Sequence, residues 1–165
     1  MIRLALPSDA VAIAWHRAEM FREMGVLQDP LFDPLVAATT EQLPELIASG
    51  TYMGWLVEGE GPGGVVAGVG LYVRPILPRP LATGADASEL IDREGIVLNA
   101  YTQPAHRRRG LARALMTRLL VWTEAHDIRR VVLHASAQGR PLYEQLGFTM
   151  GNEMRFLGLR EPDKA

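Results

Sequence analysis

Five arginines fall in a stretch that holds no carboxylate. Arg107, Arg108, Arg109, Arg113 and Arg118 lie between Gly95 and Thr123, with no aspartate or glutamate to balance them. That stretch carries +5 while the whole chain carries −2, leaving −7 for the remainder. Inside it, Thr102-Gln103-Pro104-Ala105-His106-Arg107-Arg108-Arg109-Gly110-Leu111-Ala112-Arg113 reads as a strand, a tight turn and the start of a helix. Gly110 and Ala112 let backbone approach a ligand closely, and the free N–H groups of a helix start suit phosphate. Guanidinium groups add charge-assisted donors to the same anion. A phosphate-bearing ligand is one reading of this segment, and a solvated basic helix start is the other.

Other phosphate devices are missing. The sequence has no G-x-x-x-x-G-K-[ST] and no G-x-G-x-x-G after an early strand, which disfavours a P-loop or dinucleotide fold. Backbone contact to nucleic acid is disfavoured by the net charge of −2 and by the lack of an accompanying helix-turn-helix, zinc finger or aromatic RNA-binding strand. His16, His106, His126 and His134 have no metal-ligand spacing, so no metal is expected. His106, beside the arginines, faces either phosphate or solvent. The chain has no cysteine, which removes disulfides, thiolate zinc sites and any acyl-cysteine intermediate.

These residues need a scaffold, and 165 residues with 48% hydrophobic and 22% charged side chains suffice for one globular α/β (α+β) domain, expected over 1–165. Ile2 to Leu6 alternates as a short strand, and Pro7 with Asp9 suits the start of a helix reaching about Gly25. Gln28 to Leu35, with Pro30 and Pro34, reads as a loop. Thr39-Thr40-Glu41-Gln42 has capping-box spacing and opens a second helix that Gly50 ends. Tyr52–Glu58 and Val65–Val73 read as a hairpin. Pro75, Pro78 and Pro80 argue for a loop over Arg74–Ser88. Ile96–Thr102 is a strand, Leu111 to His126 an amphipathic helix, and Val131–Ala135 a buried strand. A short helix over Pro141–Leu146 and a last hairpin of Phe148 with Met154–Leu157 complete a β-α-α-β-β-β-α-β-α-β order around a mixed sheet. The start lacks a secretory signal pattern and the most apolar run, Val65 to Val73, is too short to cross a membrane, so a cytoplasmic protein is expected. The tail from Gly158 to Ala165 is expected to fray.

Two motifs together resemble the GNAT superfamily of acyl-CoA N-acyltransferases. The acetyl-CoA motif [QR]-x-x-G-x-[GA] appears as Arg107-Arg108-Arg109-Gly110-Leu111-Ala112, with Pro104 three residues upstream. The second runs from Leu133 to Phe148 and ends in Leu142-Tyr143-Glu144-Gln145-Leu146-Gly147-Phe148, similar to the family's L-Y-E-x-L-G-F pattern. The resemblance covers about Ile96 to Phe148. It implies a central sheet whose two neighbouring strands, Ile96–Thr102 and Val131–Ala135, splay apart like a V.

In that resemblance the pantetheine arm of CoA lies in the gap, against backbone near Ala100, Tyr101 and Thr102. The pyrophosphate lies on the N–H groups of Arg107, Arg108, Arg109, Gly110, Leu111, Ala112 and Arg113. Tyr143 takes the place of the phenol that protonates the departing thiolate. A phenol near pKa 10 against a thiol near 8.5 makes that transfer uphill by roughly 2 kcal/mol, which positioning can offset. Many relatives carry asparagine seven residues before this tyrosine; here Ser136 stands there and is expected to reach the CoA arm, and Gly139 stands where alanine is common. The histone-acetylating branch has a glutamate where this chain has Ile96. Glu94, two residues earlier on the same strand face, is therefore the candidate base, with an exposed strand-entry glutamate as the alternative; Asp92 is a further candidate.

An acceptor pocket is expected from the first two helices and the loop Arg74–Ser88, with Trp15, Glu19, Met20, Phe21 and Glu23 as candidate lining. The implied reaction is acetyl transfer from acetyl-CoA to a primary amine, small-molecule or peptide, by direct attack in a ternary complex. A non-catalytic CoA-binding sensor of the same fold is the alternative. Neither membrane nor nucleic acid is an expected partner, a homodimer is open, and the acidic remainder of the chain favours a cationic acceptor.

Overall fold

A computed structural model of the chain describes residues 1–60, 62–81 and 89–154. Four strands form an antiparallel meander: β1 (Ile2–Leu4), β2 (Tyr52–Glu58), β3 (Val65–Pro80) and β4 (Leu90–Thr102). β5 (Val131–Leu133) joins β4 in parallel and completes a five-stranded sheet in the order β1-β2-β3-β4-β5. A parallel neighbour cannot be reached by a tight turn, and the crossover is the helix α3 (Leu111–Ala125). Helices α1 (Ala10–Glu23) and α2 (Phe32–Ala48) connect β1 to β2, and α4 (Arg140–Gln145) follows β5. The expected mixed α/β architecture is the one observed.

Alternation along β2 divides the interior into two cores. Trp55 and Val57, with Val69 and Leu71 of β3, face α3 and pack on its Leu115, Met116 and Leu119. Tyr52 and Leu56 point the other way, against Ala10, Ala12 and Ile13 of α1 and Leu43 of α2. The sheet is thus covered on both faces, with α1 and α2 on one and α3 on the other.

Prolines account for two departures from the sequence reading. α2 begins at Phe32, not near Thr39, and carries Pro44 inside it. Pro30 lies in the 3₁₀ turn Asp29–Leu31 ahead of it, and Pro34 lies in the first helical turn, where an N–H has no partner to lose. The expected loop over Arg74–Ser88 is instead an arm: β3 continues to Pro80 and pairs with a β4 that starts at Leu90. β2 begins at Tyr52 opposite Tyr72, so beyond Val73 one edge of β3 has no strand beside it. A proline facing that open edge costs no ladder hydrogen bond. The ladder is irregular between Pro75 and Arg79. Residues 82–88 of the expected loop, and 155–157 of the expected last hairpin, lie outside the described residues, as does the tail from Gly158; no strand is found over 148–154.

Glu94 fastens the sheet where β4 meets β5. Its Oε1 accepts from Arg74 Nε at 2.8 Å and Nη2 at 2.5 Å, and its Oε2 accepts from Arg130 Nε at 2.9 Å. One carboxylate therefore joins β3, β4 and the residue leading into β5. Burial alone would raise its pKa, but the hydrogen bonds and charges of the two guanidiniums outweigh that and hold the carboxyl below its ordinary value. Glu94→Gln is expected to lower unfolding stability by about 2 kcal/mol at pH 7, less than a fully buried pair because both arginines are half-exposed and can rehydrate. The folded carboxyl titrates below the unfolded one near 4.3, so its contribution is complete above that pH and is lost as pH falls through the folded value. Denaturant titrations at pH 7 and at pH 3 check this: acidification should destabilise the wild type more steeply than the variant.

Candidate active site

The sheet opens between β4 and β5. β4 pairs with β5 only at Gly95↔Val131, Ile96↔Val132 and Val97↔Leu133, where β5 ends, while β4 runs on to Thr102. On its other edge β4 stays with β3, but Leu98 faces Gly70 and Tyr101 faces Gly68, so Asn99 and Ala100 together oppose Val69. This is a β-bulge, and Asn99 adopts φ 55°, a left-handed conformation that asparagine tolerates better than most side chains. Among the described residues, no strand lies beside the backbone edge of Leu98 to Thr102 that is turned toward β5. The carbonyl of Thr102 is occupied, accepting from Arg107 Nε at 2.8 Å.

Beyond β4 the chain makes the turn Pro104–His106 and enters α3 through two left-handed residues, Arg108 at φ 63° and Gly110 at φ 75°. Among the described residues, the backbone N–H groups from Arg108 to Arg113 find no acceptor, whereas that of Arg107 donates to the Pro104 carbonyl at 3.3 Å. Left-handed residues followed by a helix start gather such donors into a concave anion site. The arginine side chains divide. Arg107 turns back to Glu23, at 2.6 and 2.8 Å, and lies over the Tyr101 ring. Arg113 donates to the Gln145 side chain. Arg108 and Arg109 are exposed and form no ion pair among the described residues. His106 is half-buried, and its Nδ1 is enclosed without a partner.

Tyr143 on α4 packs against the same core as Ala100 and Leu133, with its ring edge-on to Phe148. Burial pushes its phenol above the ordinary value, and its hydroxyl has no hydrogen-bond partner among the described residues. Ser136 is engaged locally: its Oγ accepts the Gly139 N–H at 3.1 Å and steadies the turn into α4. Gly139 passes under the Tyr143 ring, where a Cβ would come within 2.9 Å of it. Glu94, the sequence candidate for the base, stands at the paired end of β4, away from the bulge. It lies five residues before Asn99, roughly 16 Å along the strand, and both its oxygens are held by arginine.

A cavity of about 380 Å³ lies on the α1–α2 side of the bulge, lined by β-strand residues Tyr52, Tyr72, Leu98 and Asn99 and by α2 from Leu35 to Leu46. α1 contributes Arg17 rather than the predicted residues. Trp15 and Met20 do not line it; buried Glu19 is held by Arg22 at 2.6 Å; Glu23 is taken by Arg107 and by the Tyr101 hydroxyl at 3.0 Å. Phe21 does not line it either; its ring lies beneath the Arg17 guanidinium, 4.7 Å away. Neighbouring His16 is buried, which pushes its pKa down to about 4 and leaves it neutral.

The residues that sequence reasoning missed form one chain of hydrogen bonds. Arg17 Nη1 donates to Asn99 Oδ1 at 2.7 Å, and Asn99 Nδ2 donates to the Tyr52 hydroxyl at 3.0 Å. Tyr52 is fully buried, and its phenol is pushed up to about 12. It reaches Asn99 by lying across Gly70, where any Cβ would collide with its hydroxyl. The one available signal was a single asparagine inside the apolar run Ile96–Thr102.

Known proteins agree with this geometry. Residues 86–160 match the family model of the acetyltransferase (GNAT) domain. The sequence matches no protein of curated function. Among solved structures, a predicted acetyltransferase with acetyl-CoA from Clostridium acetobutylicum is 23% identical over 96% of this chain and 95% of its own, with a TM-score of 0.76. An aminoglycoside 6'-N-acetyltransferase from Acinetobacter haemolyticus shares the fold at 16% identity, 98% and 99% coverage and a TM-score of 0.65. A GCN5-related N-acetyltransferase from Ralstonia eutropha is 31% identical over 94% of this chain and 96% of its own, with a TM-score of 0.79. With that identity over nearly the whole length of both, and with the open β4–β5 pair and N–H-lined loop in place, the chain belongs to the GCN5-related N-acetyltransferase (GNAT) family.

Proposed function

We propose that the protein transfers an acetyl group from acetyl-CoA to a primary amine, by direct attack in a ternary complex. The observation that carries this reading is the succession, among the described residues, of an unpaired strand edge, Leu98–Thr102, and a loop whose N–H groups from Arg108 to Arg113 lack acceptors. An extended amide-bearing chain suits the first and a diphosphate suits the second, so the residues present fit CoA. When bound, acetyl-CoA supplies a thioester carbonyl and a thiolate leaving group.

The chain's own groups then divide the work. Backbone of Ala100, Tyr101 and Thr102 orients the pantetheine arm. The loop N–H groups hold the diphosphate, and exposed Arg108 and Arg109 offer their charge to the phosphates. Arg107 stabilises the loop through Glu23 instead. Tyr143 donates a proton to the departing sulfur, and burial keeps its phenol protonated across the working pH range. Ser136 holds the turn that carries Tyr143 rather than reaching for the arm. Glu94 has no part as the base. Among the described residues the cavity lining includes no carboxylate or imidazole, so the amine gives its proton to solvent.

Three measurements test this. Ala112→Pro deletes one N–H donor in the first turn of α3, where proline is tolerated, and should weaken acetyl-CoA binding about tenfold by calorimetry with little change in Tm; unchanged affinity would remove the loop from the reading. Tyr143→Phe should cost about 100-fold in kcat in a thiol-release assay while acetyl-CoA affinity holds. Full kcat in that variant would exclude the phenol as the acid. For the wild type, kcat/KM should rise with pH up to the pKa of the acceptor amine itself, with no plateau set by an enzyme base near neutrality.

A further inference from the structure

Arg17 is a cation without a counter-ion. Among the described residues no carboxylate lies within 4 Å of it; its recorded polar contact is Asn99 Oδ1, and the nearest carboxylate along its helix, Glu19, is paired with Arg22 instead. A guanidinium has five N–H donors, and one of them is spent on Asn99. Burial removes much of the hydration that would otherwise serve the rest, which lowers its pKa from the ordinary arginine value. The Phe21 ring covers one face of the group, so its free edge is left to the cavity. Among the described residues no other charged side chain lines that cavity; the remainder is leucine, alanine, tyrosine, Asn99 and the polar Thr39 and Gln42 of α2.

From this we infer that the acceptor amine carries a carboxylate, which docks on Arg17, attached to a small apolar body of the size of an α-amino acid. The inference rests on the acetyltransferase reading and adds the substrate class. A volume of about 380 Å³ is at the small end of ligand sites, which span ~300–1,000 Å³, and it suits an amino acid better than a sugar chain. The leucines of α2 favour an apolar side chain. A single guanidinium matches a carboxylate in charge and in its two-pronged geometry, whereas a phosphate dianion would call for more than one cation. Arg17 also reverses the field argument from the acidic remainder of the chain, because the charge at the cavity itself is positive. Its connection to Asn99 places the carboxylate site beside the bulge, next to the strand edge assigned to the thioester arm.

The test uses the wild-type protein and a matched panel. Acetyl transfer from acetyl-CoA is followed by thiol release with leucine, leucinamide, 3-methylbutylamine and phosphoethanolamine. Titrations of the free and CoA-loaded protein with N-acetylleucine and N-acetylleucinamide give a readout that needs no turnover. Leucine should exceed leucinamide and 3-methylbutylamine in kcat/KM by about tenfold or more, and N-acetylleucine should bind that much more tightly than its amide. Arg17→Gln should reduce both preferences to near unity, and Arg17→Lys should restore part of them, with acetyl-CoA affinity unchanged in each. Equal or better use of the uncharged amines, preference for phosphoethanolamine, no binding of N-acetylleucine, or a carboxylate preference surviving in Arg17→Gln would each overturn the inference. Loss of acetyl-CoA binding by the wild type would instead strike the acetyltransferase reading, so the two failures are told apart.

Discussion

One residue in a left-handed conformation, Asn99, sets the shape of the whole site. By letting two residues of β4 oppose one of β3, it changes the direction of the strand just past the point where β5 stops. A non-glycine residue there costs about 1–2 kcal/mol. The Asn99 side chain offsets that by bonding both Arg17 and the Tyr52 hydroxyl, each contact worth about 1 kcal/mol or more when one partner is charged. The bulge is therefore held from the α1 side, while the opened edge is turned toward β5.

That arrangement ties the two halves of the site to one another. Tyr52 reaches Asn99 only because Gly70 leaves room above the sheet, and Arg17 reaches it only because α1 packs through Ile13 and Ala10 on the same face. At the closed end of the opened strands, Glu94 performs the complementary task with two guanidiniums. The sheet is pinned at one end by charge and bent at the other by a buried polar network, and the space between is where a ligand can lie.

Much of this was legible in the sequence because the arginine-rich loop before α3 is a local device. Arg107 to Arg113 carry their geometry in consecutive residues, and helix α3 has a clear apolar stripe, so both were read within a residue or two. The cavity beside the bulge is different. Arg17, Tyr52 and Asn99 are separated by 35 and 47 residues in the chain and meet only through sheet pairing and helix packing. The surroundings of Glu94 were hidden for the same reason: its alternation on β4 is visible, but Arg74 and Arg130, which take both its oxygens, belong to other elements. Proline misled twice, at Pro34 and along Pro75–Pro80, since a missing N–H matters only where a partner would have stood.

The parallel ladder between β4 and β5 is three residue pairs long. The meander of β1 to β4 closes through nearest-neighbour strands, whereas β5 arrives only after the α3 crossover has been ordered, a later and more expensive closure in chain entropy. The C-terminal part, β5 with α4, is thus lightly joined to the rest by backbone. Whatever fills the opening has one wall from each part, and so acts as mortar between them. By mass action such a ligand raises the free energy of opening that seam in proportion to the logarithm of its concentration. A gap open enough to admit a ligand is also a weak joint that a bound ligand would repair.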